Sequence, residues 1–136
     1  MIHRLPITVR STHIDRLGHV NNATYQEYIE WGRFGWFRDS TIPLDDFTYR
    51  EIAAVVARVE IDYRKEATMD QQLTVETCLT RVGTKSLRFS QRVVHADATT
   101  ACEAVVVAVI FDTKTRKSRA IPDELRPLLE GLVVDR

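Results

Sequence analysis

Cysteine is scarce in this chain, and the two that occur, Cys78 and Cys102, lack C-x-x-C spacing, which argues against a zinc ribbon or a disulfide scaffold. Charge of one sign is missing as well. Lysine plus arginine and aspartate plus glutamate number 19 each, so no net field gathers nucleic acid or an anionic membrane surface. The longest apolar run, Ala104 to Phe111, is eight residues, far below the roughly 20 that a membrane-crossing helix needs. No basic segment followed by an apolar one opens the sequence, and the expectation is a soluble, cytoplasmic protein of a reducing compartment. Glycine (5) and proline (4) are too few for a low-complexity or fibrous chain. What is there is an ordinary globular mixture, 44% hydrophobic and 28% charged over 136 residues, which predicts one domain over residues 1–136.

The apolar pattern changes period part-way along. Leu5 to Arg10 reads as a short extended stretch and Ser11 to Asn22 as a polar, glycine-containing loop. From Ala23 to about Arg38, Tyr25, Ile29, Gly32 and Trp36 recur at helical spacing, with Asn21 or Asn22 as N-cap. Gln26, Glu27, Glu30 and Arg33 fall on the other side, yet so do Phe34 and Phe37, so this helix is apolar over more than one stripe and is enclosed on several sides. Gly32 and Gly35, each costing about 1 kcal/mol against alanine, allow a neighbour to approach closely. From Val55 the period becomes two. Val55, Ala57, Val59, Ile61 and Tyr63 alternate with Val56, Arg58, Glu60, Asp62 and Arg64, predicting a strand with one covered face. Strands around Leu73–Thr80 and Ser86–Val93 follow, then Ala101–Phe111, apolar on both faces like a central strand. Asp112 to Lys117 reads as a hairpin tip, Ser118 to Ile121 as a closing strand, and the residues after Pro122 as a short helix. The short connections favour antiparallel pairing, so the expected class is α+β, a curved antiparallel sheet around one long helix.

The reactive side chains gather in the loop that enters this helix: His13, Asp15, His19, Asn21 and Asn22. A helix N-terminus presents unpaired N–H groups and about half a positive charge, which suits a developing oxyanion, and Gly18 permits a tight approach. Asp15, ionised at neutral pH, supplies either a nucleophile or a general base. Together these are the parts of acyl transfer. They serve a thioester more readily than an amide, because a thiol of pKa about 8.5 leaves without a strong acid. The plainer reading of Asp15 is an Asx-turn, of Asn21 and Asn22 a cap, and of His19 a hydrogen bond that fixes the loop. Tyr25, Tyr28, Trp31 and Trp36 line an acyl pocket or fill the core, and Glu30 with Arg33 fits a surface pair.

Asp15-Arg16-Leu17-Gly18-His19-Val20-Asn21-Asn22, with Tyr25, Tyr28, Glu30 and Arg33 following, resembles the signature of hotdog-fold acyl-CoA thioesterases of the 4-hydroxybenzoyl-CoA thioesterase type. Ile61 to Arg64, Arg81 to Leu87 and Ile121 to Arg126 fit the same pattern in order. The resemblance implies a hotdog fold, acyl-CoA as substrate, no metal or separate cofactor, and a homodimer or dimer of dimers with active sites at the subunit interface. It makes Asp15 the catalytic carboxylate, the backbone N–H of Asn22 or a neighbour the oxyanion donor, and His19 an assistant. Gly18, Tyr25 and Tyr28 are then expected around the substrate. Lys85, Ser86 and Arg88, or the basic hairpin Lys114, Arg116, Lys117 and Arg119, are available to the phosphates of coenzyme A. His13 stands where family members often carry an acid, placing a histidine's charge near Asp15.

Three other classes compete, of which dehydratase chemistry on the same fold would call for a differently spaced Asp and His. His13, Asp15 and His19 can be drawn around iron, but all three come from one seven-residue loop, a poor cage for a metal. A non-catalytic module that binds acyl-CoA or acyl-carrier-protein is the alternative to the enzyme, and Asp15 discriminates between them. A modest, partly aromatic pocket favours short to medium or aryl acyl groups.

Overall fold

The computed structural model describes residues 1–40, 42 and 44–135. The elements run β1 (Ile2–Thr8), α1 (Asn22–Asp39), α2 (Leu44–Tyr49), β2 (Ile52–Tyr63), β3 (Gln72–Val82), β4 (Ser86–His95), β5 (Thr100–Asp112) and α3 (Arg126–Glu130). Five strands form one antiparallel sheet in the order β1-β3-β4-β5-β2, with α1 against its inner face, the α+β arrangement read from the periodicity. Pro6 is tolerated because β1 is an edge strand, where a missing N–H breaks no interior ladder.

Several details depart from the sequence reading. The eight residues from 64 to 71 do not fold β2 back onto β3; they cross the sheet, and β2 pairs with β5 at the far edge. The segment 118–121 is not a strand, only a single bridge between Phe111 and Ser118. The short α2 has no strong sequence signal, yet Phe47 packs 5.5 Å from Phe37 and so buries a ring that helical periodicity places away from the core stripe.

Close approach of α1 to the sheet rests on its two glycines. A Cβ on Gly32 would lie 2.6 Å from Val75 Cγ1 and 2.7 Å from Thr77 Oγ1, and one on Gly35 would lie 2.3 Å from His3 Nε2. Tyr25, Ile29 and Trp36 of the predicted stripe are all buried, with Trp36, Phe37 and Phe89 in edge-to-face contact at 5.1–5.8 Å. Arg33 turns inward instead of forming a surface pair with Glu30. Its guanidinium donates to Gln91 Oε1 at 3.1 Å, while Gln91 Nε2 donates to Ile29 O and Thr77 Oγ1, and burial lowers the Arg33 pKa. This satisfied polar line through the core fixes how far the helix rolls on the sheet.

The helix packs chiefly on β1, β3 and β4, so the inner face of β2 has little cover. A bulge at Ala57 also shifts its alternation: Val56, Val59, Ile61 and Tyr63 face inward with Ala108, Val106, Ala104 and Cys102, while Val55 faces outward with Val109. The simple alternation starting at Val55 therefore holds only after the bulge. Val55, Val56, Val59 and Tyr63 are 46%, 42%, 37% and 46% exposed, unusual for so apolar an edge.

Candidate active site

Between β1 and α1 the chain makes a 3-10 turn at Ser11–His13 and then a narrow hairpin closed by the Ile14–Val20 bridge. Asp15 N–H donates to His19 O at 3.0 Å and Gly18 N–H to Asp15 O at 3.1 Å. The tip therefore turns in four residues, with Gly18 at φ +86°, a conformation that costs glycine nothing. On its other side the hairpin is tied down by Val20 N–H to Ala67 O at 2.8 Å and Asn21 N–H to His13 O at 3.0 Å. Asp15 is thus held on a braced turn. Its Oδ1 accepts from Leu17 N–H at 2.9 Å, the predicted Asx-turn, which leaves Oδ2 for other work. The turn reading of this residue holds at Oδ1. His19 stands between two carboxylates, Nδ1 at 3.8 Å from Asp15 Oδ2 and Nε2 at 3.6 Å from Glu66 Oε2, distances that orient charge without a hydrogen bond.

The first turn of α1 disposes of its N–H groups unevenly. Asn21 is the N-cap: its Oδ1 accepts from Ala23 N–H at 2.8 Å, and its carbonyl accepts from Thr24 and Tyr25 N–H at 3.0 and 3.3 Å. Among the described residues, the N–H of Asn22 has no acceptor. Asn22, at the positive end of an 18-residue helix, lines the same cavity of about 360 Å³ as Asp15, His19 and Tyr25. A carboxylate and an open peptide N–H on residues that line one space are what attack on a carbonyl requires. A larger cavity of about 470 Å³ between α1, α2 and β2 is lined by Phe34, Phe37, Phe47 and Phe89. Glu30 and Arg33 also line it, but it lies along α1 and not at the open first turn of that helix.

The other side of the cavity comes from the exit of β2. Arg64 and Lys65 N–H both donate to Ala101 O, at 2.8 and 3.0 Å, where a bulge ends the β4–β5 pairing, and this turns the segment 63–66 toward Asp15. Tyr63 bridges the gap, its hydroxyl donating to Asn22 O at 3.0 Å and its ring 5.7 Å from that of Tyr25. Sequence reasoning passed over Tyr63 and Glu66. The signal was a polar turn directly after a long alternation, but only the β2–β5 pairing reveals where that turn goes.

The remaining expected residues separate. Tyr25 lines the cavity, and burial, with Cys102 and Tyr28 beside it, pushes its hydroxyl up to about 12, so it stays a neutral phenol. Tyr28 is fully buried, raised to about 12 by burial, and meets His13 Nδ1 at 2.8 Å away from the cavity. The Arg10 N–H also donates to that nitrogen, at 3.0 Å. His13 therefore belongs to the helix side, packed against Tyr28 and Trp31. Lys85, Ser86 and Arg88 lie at the opposite end of the sheet, where Ile110 N–H meets Lys85 O, and within one chain they are not brought to Asp15. Cys78 and Cys102 are buried, the latter raised to about 12 by burial. No group of three or more possible metal ligands occurs among the described residues.

Residues 9–129 match the model of the thioesterase-like superfamily. The chain belongs to that family. As a thioesterase-like protein on the hotdog fold, it is a thioester hydrolase, as the loop signature implied. It is 35% identical to the long-chain acyl-CoA thioesterase FadM of Escherichia coli K12 over 131 residues, covering 93% of this chain and 96% of FadM. It is 30% identical to the acyl-CoA thioester hydrolase YbgC of Escherichia coli O6:H1, with 91% and 92% of the two chains covered. The crystal structure of YbaW, a probable thioesterase from Escherichia coli, superposes with a TM-score of 0.87 at 33% identity, covering 97% of this chain and 99% of that one. This thioesterase has no helix among the described residues long and apolar enough to cross a membrane.

Proposed function

We propose that this chain hydrolyses acyl-CoA thioesters, with Asp15 as the reacting carboxylate and the Asn22 N–H holding the carbonyl oxygen. The observation that carries this reading is the pairing of one uncommitted carboxylate oxygen with one uncommitted first-turn N–H across a single cavity. The similarity to two acyl-CoA thioester hydrolases supports the substrate class. In one route Oδ2 attacks the acyl carbon, the C–S bond breaks with coenzyme A leaving as thiolate, and water cleaves the resulting anhydride. In the other, Asp15 takes a proton from water, the water oxygen attacks, and the collapsing intermediate expels the same thiolate. Single-turnover reaction in oxygen-18 water separates them: label in the Asp15 carboxyl requires the anhydride. The decisive variant is Asp15→Asn. It should lower kcat at least 10³-fold, on the order of a lost nucleophile or base, while folding and acyl-CoA binding persist. Parent-like turnover would reject the assignment, and intact binding in a parent that hydrolyses nothing would favour the non-catalytic module.

The acyl group has room along the gap between α1 and β2. A pocket lined by Ile29, Val56 and Val59, with Gln26, Glu27, Glu30 and Arg33 at its polar side, adjoins the phenylalanine-lined cavity, and this room extends the expected substrates from short or aryl groups to long chains. Self-association completes the site in this reading. The exposed apolar edge of β2 is covered if it pairs antiparallel with β2 of a second copy, which sets the Ile52 end of one beside the Tyr63 end of the other. Lys85 lies at the Ile52 end of its own chain, since Ile110 is bonded to Lys85 and pairs with Ala54. The turn bearing Lys85, Ser86 and Arg88 thus approaches the other copy's Asp15, where cations suit phosphates. In this reading the protein works in the cytoplasm and needs no cofactor beyond the coenzyme A of its substrate.

A further inference from the structure

Tyr63 is the last residue of the edge strand, yet its hydroxyl crosses the mouth of the cavity to the carbonyl of Asn22, the residue whose N–H is free. That contact continues through the same peptide. The Asn22 carbonyl belongs to the peptide unit whose N–H, on Ala23, donates to Asn21 Oδ1 at 2.8 Å. Tyr63, the 22–23 peptide and the Asn21 side chain therefore form one hydrogen-bonded chain, each bond polarising the next. It grips the segment on both flanks of the open donor. The ring of Tyr63 rests against Tyr25, and its neighbours Arg64 and Lys65 are fixed by Ala101 O, so the anchor at the strand end is itself held. Helix capping does not need this bond, because the Asn21 cap is complete without it.

We infer that Tyr63 is a positioning residue for the proposed hydrolysis, its hydroxyl fixing the first turn of α1 so that the Asn22 N–H is aimed at the carbonyl oxygen before substrate arrives. The inference rests on the function proposed above. It ties the oxyanion donor to β2, so pairing of that strand with a second copy also steadies the catalytic donor. A group that acts on the transition state through geometry shows in kcat and spares KM. Removing one well-aimed donor has cost about 10²–10³-fold elsewhere, so loosening one calls for less.

The test compares the parent with Tyr63→Phe, which deletes one oxygen, and Tyr63→Leu, which also deletes the ring. Turnover of a long-chain acyl-CoA and amide hydrogen exchange at Asn22 and Ala23 by NMR are both measured. Tyr63→Phe is expected to lower kcat about tenfold with KM within twofold, and to speed exchange at Ala23, whose N–H is bonded to Asn21 Oδ1, while the open Asn22 amide exchanges fast in both proteins. Tyr63→Leu should lose no more kcat than Tyr63→Phe. Parent-like kcat in Tyr63→Phe, a loss shared equally by KM, or unchanged exchange at Ala23 would each overturn the inference. If the parent itself hydrolyses no thioester, the proposed function fails, and the exchange data still decide whether Tyr63 holds the turn.

Discussion

At the scale of single residues, the contrast between Asp15 and Glu76 shows how placement decides the use of a carboxylate. Asp15 commits one oxygen to its own turn and keeps the other for the cavity. Glu76 is buried on the outer face of the sheet and fully committed, with Arg92 on one oxygen and Arg4 on the other. Burial alone would raise its pKa, but the hydrogen bonds and charges of Arg92 and then Arg4 outweigh burial and hold it below the ordinary glutamate range. A depressed folded-state pKa contributes stability above the unfolded value near 4.3, and that contribution disappears as pH falls through the folded value. Glu76→Gln is therefore expected to cost on the order of 1 kcal/mol at pH 7 and to flatten the loss of stability below about pH 4. Urea titrations of both proteins at several pH values check this; parallel acid limbs would contradict it. The sequence could not show it, because three strands must align before Arg4, Glu76 and Arg92 meet.

At the scale of elements, α1 was largely legible because its pattern repeats over 18 residues and its cap is local chemistry. The loop was legible for the same reason: the Asx-turn, Gly18 and the Asn21 cap are contacts between residues two to four apart. What stayed hidden were long-range facts, such as Tyr63 reaching Asn22 across 41 positions and α2 folding over Phe37. The bulge at Ala57 was hidden too, since a strand that adds one residue looks regular until its partner is seen. The glycines of α1 carry a prediction at this scale. Gly32→Ala gains about 1 kcal/mol of helix propensity but forces a methyl into Val75 and Thr77, an overpacking cost of about 1–3 kcal/mol. The net loss of up to about 2 kcal/mol should lower Tm by several degrees for a domain of this size. A scanning-calorimetry Tm equal to or above the parent's would show that the helix can lift off the sheet without penalty.

At the scale of the whole molecule, α1 sits off-centre, over β1, β3 and β4, and the apolar inner side of β2 is left for something else to cover. If that cover is a second copy, sedimentation at micromolar concentration finds a dimer or larger, and the double change Val56→Asp with Val59→Asp returns it to monomer. Activity should fall at least tenfold with it, because cations from the other copy and the cover over the acyl path are lost together. A fully active monomer would detach the site from assembly. The bulge adds one more expectation. With Ala57 as the supernumerary residue, Val56 and Val59 already point the same way, and excising Ala57 leaves every neighbour facing as before. Dropping a residue of β2 away from this bulge turns part of the strand inside out. The bulge is thus the place in this strand where evolution can shorten the gene by a triplet without reversing the inner wall of the sheet.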